Sequence, residues 1–553
     1  MRILFIMLDL RYTKYYYETL RLLMNHGHSI HVGFFNSSEP ARETLHERLK
    51  EEFPDLFSYG KAPRKRSDLW NDLCVALSWG MDYLLYLGAI FKNSRRLRER
   101  TESRMHPAFV WITNRCPLVR TPKGLAILAP LLRISYDSIP AGRSIKGYIR
   151  SFQPDVLLVT PLVVHGTLQS EYLKAAKKLG VVSAHCVASW DNLTTKGVIR
   201  GNPDKVIVWN EVQKEEAVTL HGVSPEKVVV TGSQYFDPWF THQPSRTRPE
   251  FCRVVGLPPD QLIVLYLCSS NFMAPNEPPF VLRWIAALRN SGIPRLAEAG
   301  ILIRPYPEYV DKWKAIDFGD YGHVVVWPPD GEYPQTDTGK SNFFDSIYYS
   351  FAVVGINTTA MIESAILGKC VLTVLAPELN ESQTNTIHFN YLKQERGGIL
   401  YLARDLKEHV KQLKEILDGG DRLKSQVETF VRNFARPHGM TAQCVPILSH
   451  AIQELNRANP ENTHPLPVHF LVRLILYPVA FSLKMYNLSR RRKNKNKKSE
   501  RKRLISDANK RGDDPLKYIR AIRPRPGADA CDAGAPLGFQ RQGNSGDNGD
   551  SVA

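Results

Sequence analysis

The stretch Ala352–Val371, AVVGINTTAMIESAILGKCV, decides how the rest of the chain is read. It opens as an apolar strand, Ala352-Val353-Val354-Gly355-Ile356, and breaks at Asn357-Thr358-Thr359. Helical spacing follows through Met361, Ile362, Ala365 and Ile366, and Gly368 stands where a helix C-cap belongs. Asn and Thr favour helix N-caps, and the bare amides of a first turn attract anions. With Thr359 in that turn, Glu363 lies one turn further along the same face. A diphosphate over Thr358 and Thr359 would set its ribose beside the Glu363 carboxylate. An ordinary αβ unit with a polar cap shares this local pattern, so the reading depends on what surrounds it.

Outward from this stretch the chain alternates strands and helices. After it, Gly368–Val374 supplies a strand, and Leu406–Leu417, Leu423–Phe434 and Met440–Asn456 have helical spacing. Before it come a strand Leu262–Leu267 ending in Cys268-Ser269-Ser270-Asn271, a helix Glu277–Asn290, a strand from Gly300 ending on Arg304, and a strand His323–Trp327. The first half repeats the scheme. Arg2–Leu8 is a strand, Tyr15–Asn25 a helix, His26-Gly27-His28 a stop and Ser29–Phe35 a strand. This is a βαβ unit and implies a parallel sheet. It lacks GxGxxG, which disfavours a dinucleotide-binding enzyme. Strands at Pro154–Thr160, Val181–Ala184, Lys205–Trp209 and Lys227–Thr231 continue it. Ligands of open α/β sheets sit beyond the carboxyl ends of the strands, which places Asp9, His165, Asp191, Asn192 and Gly232-Ser233 at that edge.

The expected fold is therefore α/β, with two Rossmann-like doubly wound parallel-sheet domains facing across a cleft. The first domain covers 1–237, with a helical insert at about 60–150. A Pro- and Arg-rich linker covers 238–260, the second domain 261–435, a final helix 436–456, and a tail 457–553. At 553 residues and 43% hydrophobic the chain can bury more than one core. The formal charge is +18, and Arg490–Arg503 alone holds ten Lys/Arg against Glu500, so half the excess belongs to the tail. The eight Cys include no CxxC pair, which fits reduced, buried thiols and no zinc site. The short apolar run ending at Asp9 reads as a buried strand and not a signal peptide.

Three runs support a family reading: Asp345-Ser346 with Ala352–Val371 and Asn385–Phe389; Ser189–Gly197, SWDNLTTKG; and Val230–Asp237, VTGSQYFD. With the late Phe434–Gly439, FARPHG, they resemble GT-B glycosyltransferases over roughly residues 1–456. The likeness is to bacterial surface-polysaccharide transferases, with CDP-glycerol glycerophosphotransferases and UDP-N-acetylglucosamine 2-epimerases as relatives. It implies transfer of a sugar from a nucleotide diphosphate donor to a hydroxyl of an envelope glycan or lipid-linked acceptor. No metal and no resident cofactor are implied, and no DxD-like pair suggests one. The last helix of this fold crosses back to the first domain. Relatives carry His-Pro after the basic strand where this chain has Arg304-Pro305-Tyr306-Pro307, so Arg304 becomes the expected phosphate contact. Gly232, Ser269, Ser270, Asn357, Thr358, Thr359 and His388 are the other expected donor-site residues, with Glu363 on the ribose. Asp9, His165 and Asp191 are the candidate bases. A glycerophosphotransferase, a UDP-sugar 2-epimerase and a non-catalytic nucleotide-binding protein of the same fold remain open.

The tail expectation is separate. Leu466–Leu488 is apolar but interrupted by His469, Arg473, Pro478 and Lys484. A central Arg disfavours spanning, so the segment is expected in the membrane interface, with the basic run drawn to anionic headgroups. Nucleic acid is the disfavoured partner, because no aromatic residue is interleaved within Arg490–Arg503. Gly527–Ala553 reads as disordered. The Trp-, Leu- and Tyr-rich Leu69–Leu87 and the basic Arg95–Arg104 read as packed helices, with membrane contact as the alternative. The expected location is cytoplasmic, peripheral at the inner face of the cytoplasmic membrane.

Overall fold

The computed structural model describes residues 1–36, 45–334, 336–457 and 467–511. Strand-forming runs without polar alternation become strands covered on both faces, as parallel sheets require. In the first domain these are β1 (Arg2–Asp9), β2 (Ser29–Asn36), β3 (Phe57–Lys61), β4 (Val156–Thr160), β5 (Val182–Cys186), β6 (Lys205–Val208) and β7 (Val228–Val230). The second domain has β8 (Ile263–Leu267), β9 (Gly300–Arg304), β10 (Val324–Val326), β11 (Ala352–Gly355), β12 (Cys370–Val374) and β13 (Leu400–Ala403). The strand orders are β3-β2-β1-β4-β5-β6-β7 and β10-β9-β8-β11-β12-β13. All pairings are parallel, with Ile3 opposite Val156 in one sheet and Ala352 opposite Val264 in the other. Each sheet reverses direction beside its first strand, between β1 and β4 and between β8 and β11. This is the doubly wound order of a Rossmann sheet, repeated twice, with helices between the strands. The two-domain α/β architecture of the GT-B fold is thus present.

The final helix, Cys444–Leu455, does cross back. Its Leu448, Ile452 and Leu455 are buried in the same cluster as Ile3, Phe5 and Tyr16 of the first domain. It starts four residues later than the sequence spacing suggested.

Several boundaries differ from the sequence reading. Residues 238–260 do not act as a bare linker. They hold the helix Arg248–Val255, capped by reciprocal Thr247 and Glu250 bonds, and its Phe251, Cys252 and Val255 pack under the second sheet. The Pro and Arg that suggested a linker are a proline in the first helical turn and Arg248, which donates to the carbonyls of Tyr349 and Gln261. Strand β3 lies within the first domain just before the insert, and its short half-polar sequence, FSYGK, gave no apolar run to detect. The insert comprises the helices Asn71–Leu87, Arg95–Glu102, Pro107–Arg115 and Pro122–Ser138. Arg143–Phe152, counted with the insert by sequence, covers the first sheet through Ile145 and Ile149.

The apolar C-terminal segment is a helix from Pro467 that runs on through Arg490–Arg503 to Arg511. Leu466 and the Gly527–Ala553 stretch lie outside the described residues. Among the described cysteines all are free thiols, five of them buried.

Candidate active site

The opening stretch forms β11, a turn at Ile356–Thr359, and the seven-residue helix Ala360–Ile366. The turn leaves β11 at the point where the second sheet reverses. Thr359 is the N-cap residue, but its hydroxyl does not cap. It accepts instead from Trp190 Nε1 of the first domain at 3.1 Å, so the two lobes meet at this turn. The amides of Thr358, Thr359 and Ala360 make no backbone hydrogen bond among the described residues. Thr358 and Thr359 stay partly exposed.

Glu363 lies one turn on and is buried. Burial pushes its carboxyl up to about 7, against a hydrogen bond from Tyr235 and the charge of Lys14. Lys14, from the first helix of the first domain, is in turn pushed down by burial and held up by Glu363. A carboxyl, a phenol and an ammonium from both lobes therefore share one site. Beside it opens a cavity of about 140 Å³ whose walls include Lys14, Tyr15, Tyr235, Trp239, Phe343 and Phe344.

His388 sits on the other side of the turn, on the helix Ile387–Tyr391. Asn357 Nδ2 donates to the Ser382 carbonyl at 2.6 Å, which fixes the orientation of that amide. The same nitrogen lies 3.0 Å from His388 Nε2, so Nε2 accepts and the ring proton belongs on Nδ1. Burial lowers the ring to about 4, with Asp191 opposing and Lys196 assisting, so it is neutral. His388 is only 3% exposed, yet Nδ1 has no partner. A buried N–H left without an acceptor is costly and calls for an explanation. The Trp190 ring stands edge-on to His388 at 4.9 Å.

The candidate bases occupy three different environments. Asp9 ends β1, accepts from the Arg11 amide at 3.0 Å and pairs with Arg11 Nε at 3.1 Å. It holds Arg11, which reaches to within 4.0 Å of Glu308 across the cleft. His165 has both ring nitrogens engaged, Nε2 by Arg100 at 2.9 Å and Nδ1 by Asp82 at 3.4 Å, and it stacks on Trp79. It joins the insert to the first sheet. Asp191 faces the second lobe. Burial works to raise its carboxyl, but Lys196, His388 and the hydroxyls of Ser189 and Thr195 outweigh that and hold it below the usual range. The Ser189 and Thr195 bonds are 2.7 and 3.0 Å long.

The remaining expected contacts divide. Ser269 is buried at the end of β8 with its hydroxyl unpartnered, while its amide donates to both oxygens of Glu277 at 3.1 Å. Ser270 follows it and is partly exposed. Arg304 is buried at the end of β9, with its Nη2 left without a hydrogen-bond partner. Its guanidinium lies between the rings of Trp327 and Phe343, donates to Ser346 Oγ at 3.1 Å, and is lowered to about 10 by burial. Gly232 also serves packing. At φ +81° a Cβ there would meet Cys444 Sγ at 2.3 Å, so the glycine lets the returning final helix approach. The cations beside the turn are Lys14 and Lys196. Neither stood out by type or spacing, although both lie in the Leu8–Lys14 loop and the Ser189–Gly197 run that the sequence places at the strand ends. Tyr235 and Trp190 escaped notice for the same reason.

Part of the insert crosses the cleft. Ser94 Oγ donates to the Asn385 carbonyl at 2.5 Å, and Arg96 Nη1 to the Phe272 carbonyl at 3.3 Å. Arg100 stands over the Phe272 ring at 5.1 Å while also engaging His165. A small cavity of about 20 Å³ beneath this crossing is lined by Leu97, Thr195, Ser382 and His388.

Facing Rossmann sheets with an ionisable cluster between them define the class as a two-domain α/β protein of the GT-B architecture. No protein-family model and no curated protein matches the chain. Among solved structures it is similar to a glycosyltransferase from Rickettsia africae ESF-5, at 11% identity and a TM-score of 0.46, covering 84% of this chain and 99% of that one. It is similar to UDP-GlcNAc 2-epimerase from Methanocaldococcus jannaschii, at 13% identity and a TM-score of 0.45, covering 82% and 100%. It is also similar to MurG from Acinetobacter baumannii, at 11% identity and a TM-score of 0.41, covering 82% and 99%.

Proposed function

We propose that this chain is a glycosyltransferase that moves a sugar from a nucleoside diphosphate to a hydroxyl of a glycan or lipid-linked acceptor, with no resident cofactor. The observation that carries the reading is the buried, unpartnered Nδ1–H of His388 beside the open amides of the Thr358–Ala360 turn. The turn lies where the second sheet reverses, which is where ligands of such sheets bind. A diphosphate oxygen would satisfy these donors. Donors fixed before reaction, with Lys196 alongside, stabilise charge as it builds on the leaving diphosphate. Glu363, with its proton in play near neutral pH, accepts from a ribose hydroxyl, and Lys14 steadies its ionised form. Asp191 is the base. It is ionised, held by Ser189 and Thr195, and turned toward His388 of the other lobe, whereas Asp9 and His165 are each tied to an arginine.

The test is a thermal-shift screen of the full chain across nucleoside diphosphates and their sugars, followed by transfer assays with glycan and lipid-linked acceptors. At least one diphosphate should raise the melting temperature, and Glu363→Ala or Thr359→Val should lose that shift while the free protein melts as before. Asp191→Asn should lower the transfer rate by about a hundredfold with nucleotide affinity unchanged. Isomerised donor in the absence of any acceptor would replace this reading with an epimerase. Binding without turnover in every screen would leave a non-catalytic nucleotide-binding protein. No shift with any nucleotide would sink the site itself.

A further inference from the structure

Large exposed apolar side chains are concentrated in two places. Among the described residues, seven lie between Ile90 and Ile134 of the insert, eleven between Val468 and Leu488, and only four elsewhere. Leu118 is 74% exposed and Ile475 70%. Monomeric proteins rarely leave so much contiguous apolar surface without a use for it.

The two groups belong to one body. Along the helix Pro467–Arg511, Ala480 is fully buried in a cluster with Trp70, Leu73 and Tyr136 of the first domain. The Tyr477 ring lies 6.0 Å from that of Trp70, and Arg473 Nε donates to the Ser138 carbonyl at 2.9 Å. The helix therefore lies along the insert helices Asn71–Leu87 and Pro122–Ser138, and its apolar outer side continues theirs.

Both segments are cationic in excess, with Glu99, Glu102 and Asp137 flanking the stretch of the insert and Glu500 and Asp507 following that of the helix. Residues 103–136 contain five Lys/Arg and no Asp or Glu, and residues 467–499 contain nine and none. Arg115, Arg120 and Lys123 stand exposed beside Trp111 and Leu118. An apolar face with a cationic excess at its rim suits an anionic lipid surface. It does not suit a second copy of the chain, because a self-complementary contact would set the two cationic rims against each other.

We propose that the insert and the C-terminal helix together form a platform that docks in the headgroup–acyl boundary of an anionic bilayer, with the helix lying in the membrane plane. Pro467–Arg490, at 24 residues, is long and apolar enough to cross. Crossing would require the helix to leave the insert, exposing Trp70 and Leu73 and carrying Arg473 into hydrocarbon. The proposal extends membrane contact from the tail to the insert and does not depend on sugar transfer.

Full-length protein is sedimented with phosphatidylcholine vesicles containing phosphatidylglycerol, and with phosphatidylcholine alone. The wild type should sediment with the first and weakly with the second, and alkaline carbonate should release it. Trp111→Glu, Leu118→Glu and Ile127→Glu combined should cut binding by about tenfold or more with the C-terminal helix intact. Arg115→Gln, Arg120→Gln and Lys123→Gln combined should remove about tenfold or more of the preference for phosphatidylglycerol. These three exposed cations decide the matter if the Glu variant melts early. Either variant binding like the wild type, with a wild-type melting temperature, would overturn the platform. Resistance to carbonate would overturn the in-plane placement. Wild-type dimers without vesicles that the Glu variant converts to monomers, together with no vesicle binding, would give the surface to a second copy.

Discussion

The two sheets share a strand order, but their crevices are furnished differently. At the end of the first sheet, the two candidate bases Asp9 and His165 are tied up internally, although Asn192 Oδ1 and Ser233 Oγ are buried without partners. Asp9 is tied to Arg11, and His165 is held between Asp82 and Arg100. Asp82 also pairs with Arg200 and accepts from the Val198 amide at 2.9 Å. At the end of the second sheet, polar groups are left over. His388 Nδ1 and Ser269 Oγ are buried without partners, and Glu363 carries a carboxyl that burial keeps near its titration point. The same topology thus builds one lobe as a frame for the insert and the other as a receptor. Substitutions in the Asp82 network should cost stability, and substitutions beside the Thr358–Ala360 turn should cost ligand.

The largest effect is expected from Asp82→Ala. It leaves the buried Arg200 and the His165–Arg100 pair without their shared carboxylate, and orphaning one side of a buried ion pair costs about 3–5 kcal/mol. Denaturant unfolding should show a loss of that order, and a loss near zero would mean the frame does not depend on this network.

Glu363 gives the next effect, as a pH dependence. Its native pKa, about 7, lies above the unfolded carboxylate value, so the native state binds the extra proton between those values. Its contribution is fully present below the unfolded pKa and is lost as pH rises through about 7. The shift corresponds to roughly 3 kcal/mol. Glu277 and Glu216, both raised to about 8 by burial, act in the same direction and persist in the variant. The measurement is therefore the difference between wild type and Glu363→Gln. The variant should lose less stability than the wild type between mildly acidic and mildly alkaline pH. Parallel curves would return Glu363 to an ordinary carboxylate.

His388→Phe tests the receptor side directly. It removes the unpartnered Nδ1–H while Asn357 keeps its bond to the Ser382 carbonyl. A hydrogen bond to a charged oxygen is worth about 1.5–3 kcal/mol, so nucleotide diphosphate affinity should fall by about tenfold or more. Stability should change little, because one buried orphan donor goes while the second Asn357 Nδ2–H loses its acceptor. Calorimetric titration showing unchanged affinity would place the diphosphate elsewhere.

Much of this division was legible in the sequence, and its limits have physical causes. Apart from the half-polar β3, the strands of both sheets are largely apolar runs, and the helices between them carry a 3.6-residue repeat, so most of the architecture followed from periodicity. The Asn357–Glu363 turn was legible because N-cap chemistry is local. The packing of Arg304 was not legible, because the Trp327 and Phe343 rings that enclose it come from other elements. The packing role of Gly232 was hidden likewise, since Cys444 reaches it from more than 200 residues away. Lys196 was missed because a loop has no period to show which side chain points into the cleft, and Lys14 because the first helix begins at Thr13, ahead of the Tyr15 start read from the sequence.

The smallest expected effect concerns the place where frame meets receptor. The segment Ser94–Arg100 is built by the first lobe but bonds to Asn385 and Phe272 of the second, over the side of the cleft that holds His388. Each of these bonds is worth only about 1 kcal/mol. A ligand entering beneath them must open the crossing or wait for it to open. Ser94→Ala with Arg96→Ala should therefore raise both the association and dissociation rates of a nucleotide diphosphate by roughly fivefold and leave the equilibrium affinity nearly unchanged. Stopped-flow binding separates these quantities. A fall in affinity with an unchanged association rate would make the crossing a part of the receptor instead, and the two lobes would then share the ligand more evenly than their furnishings indicate.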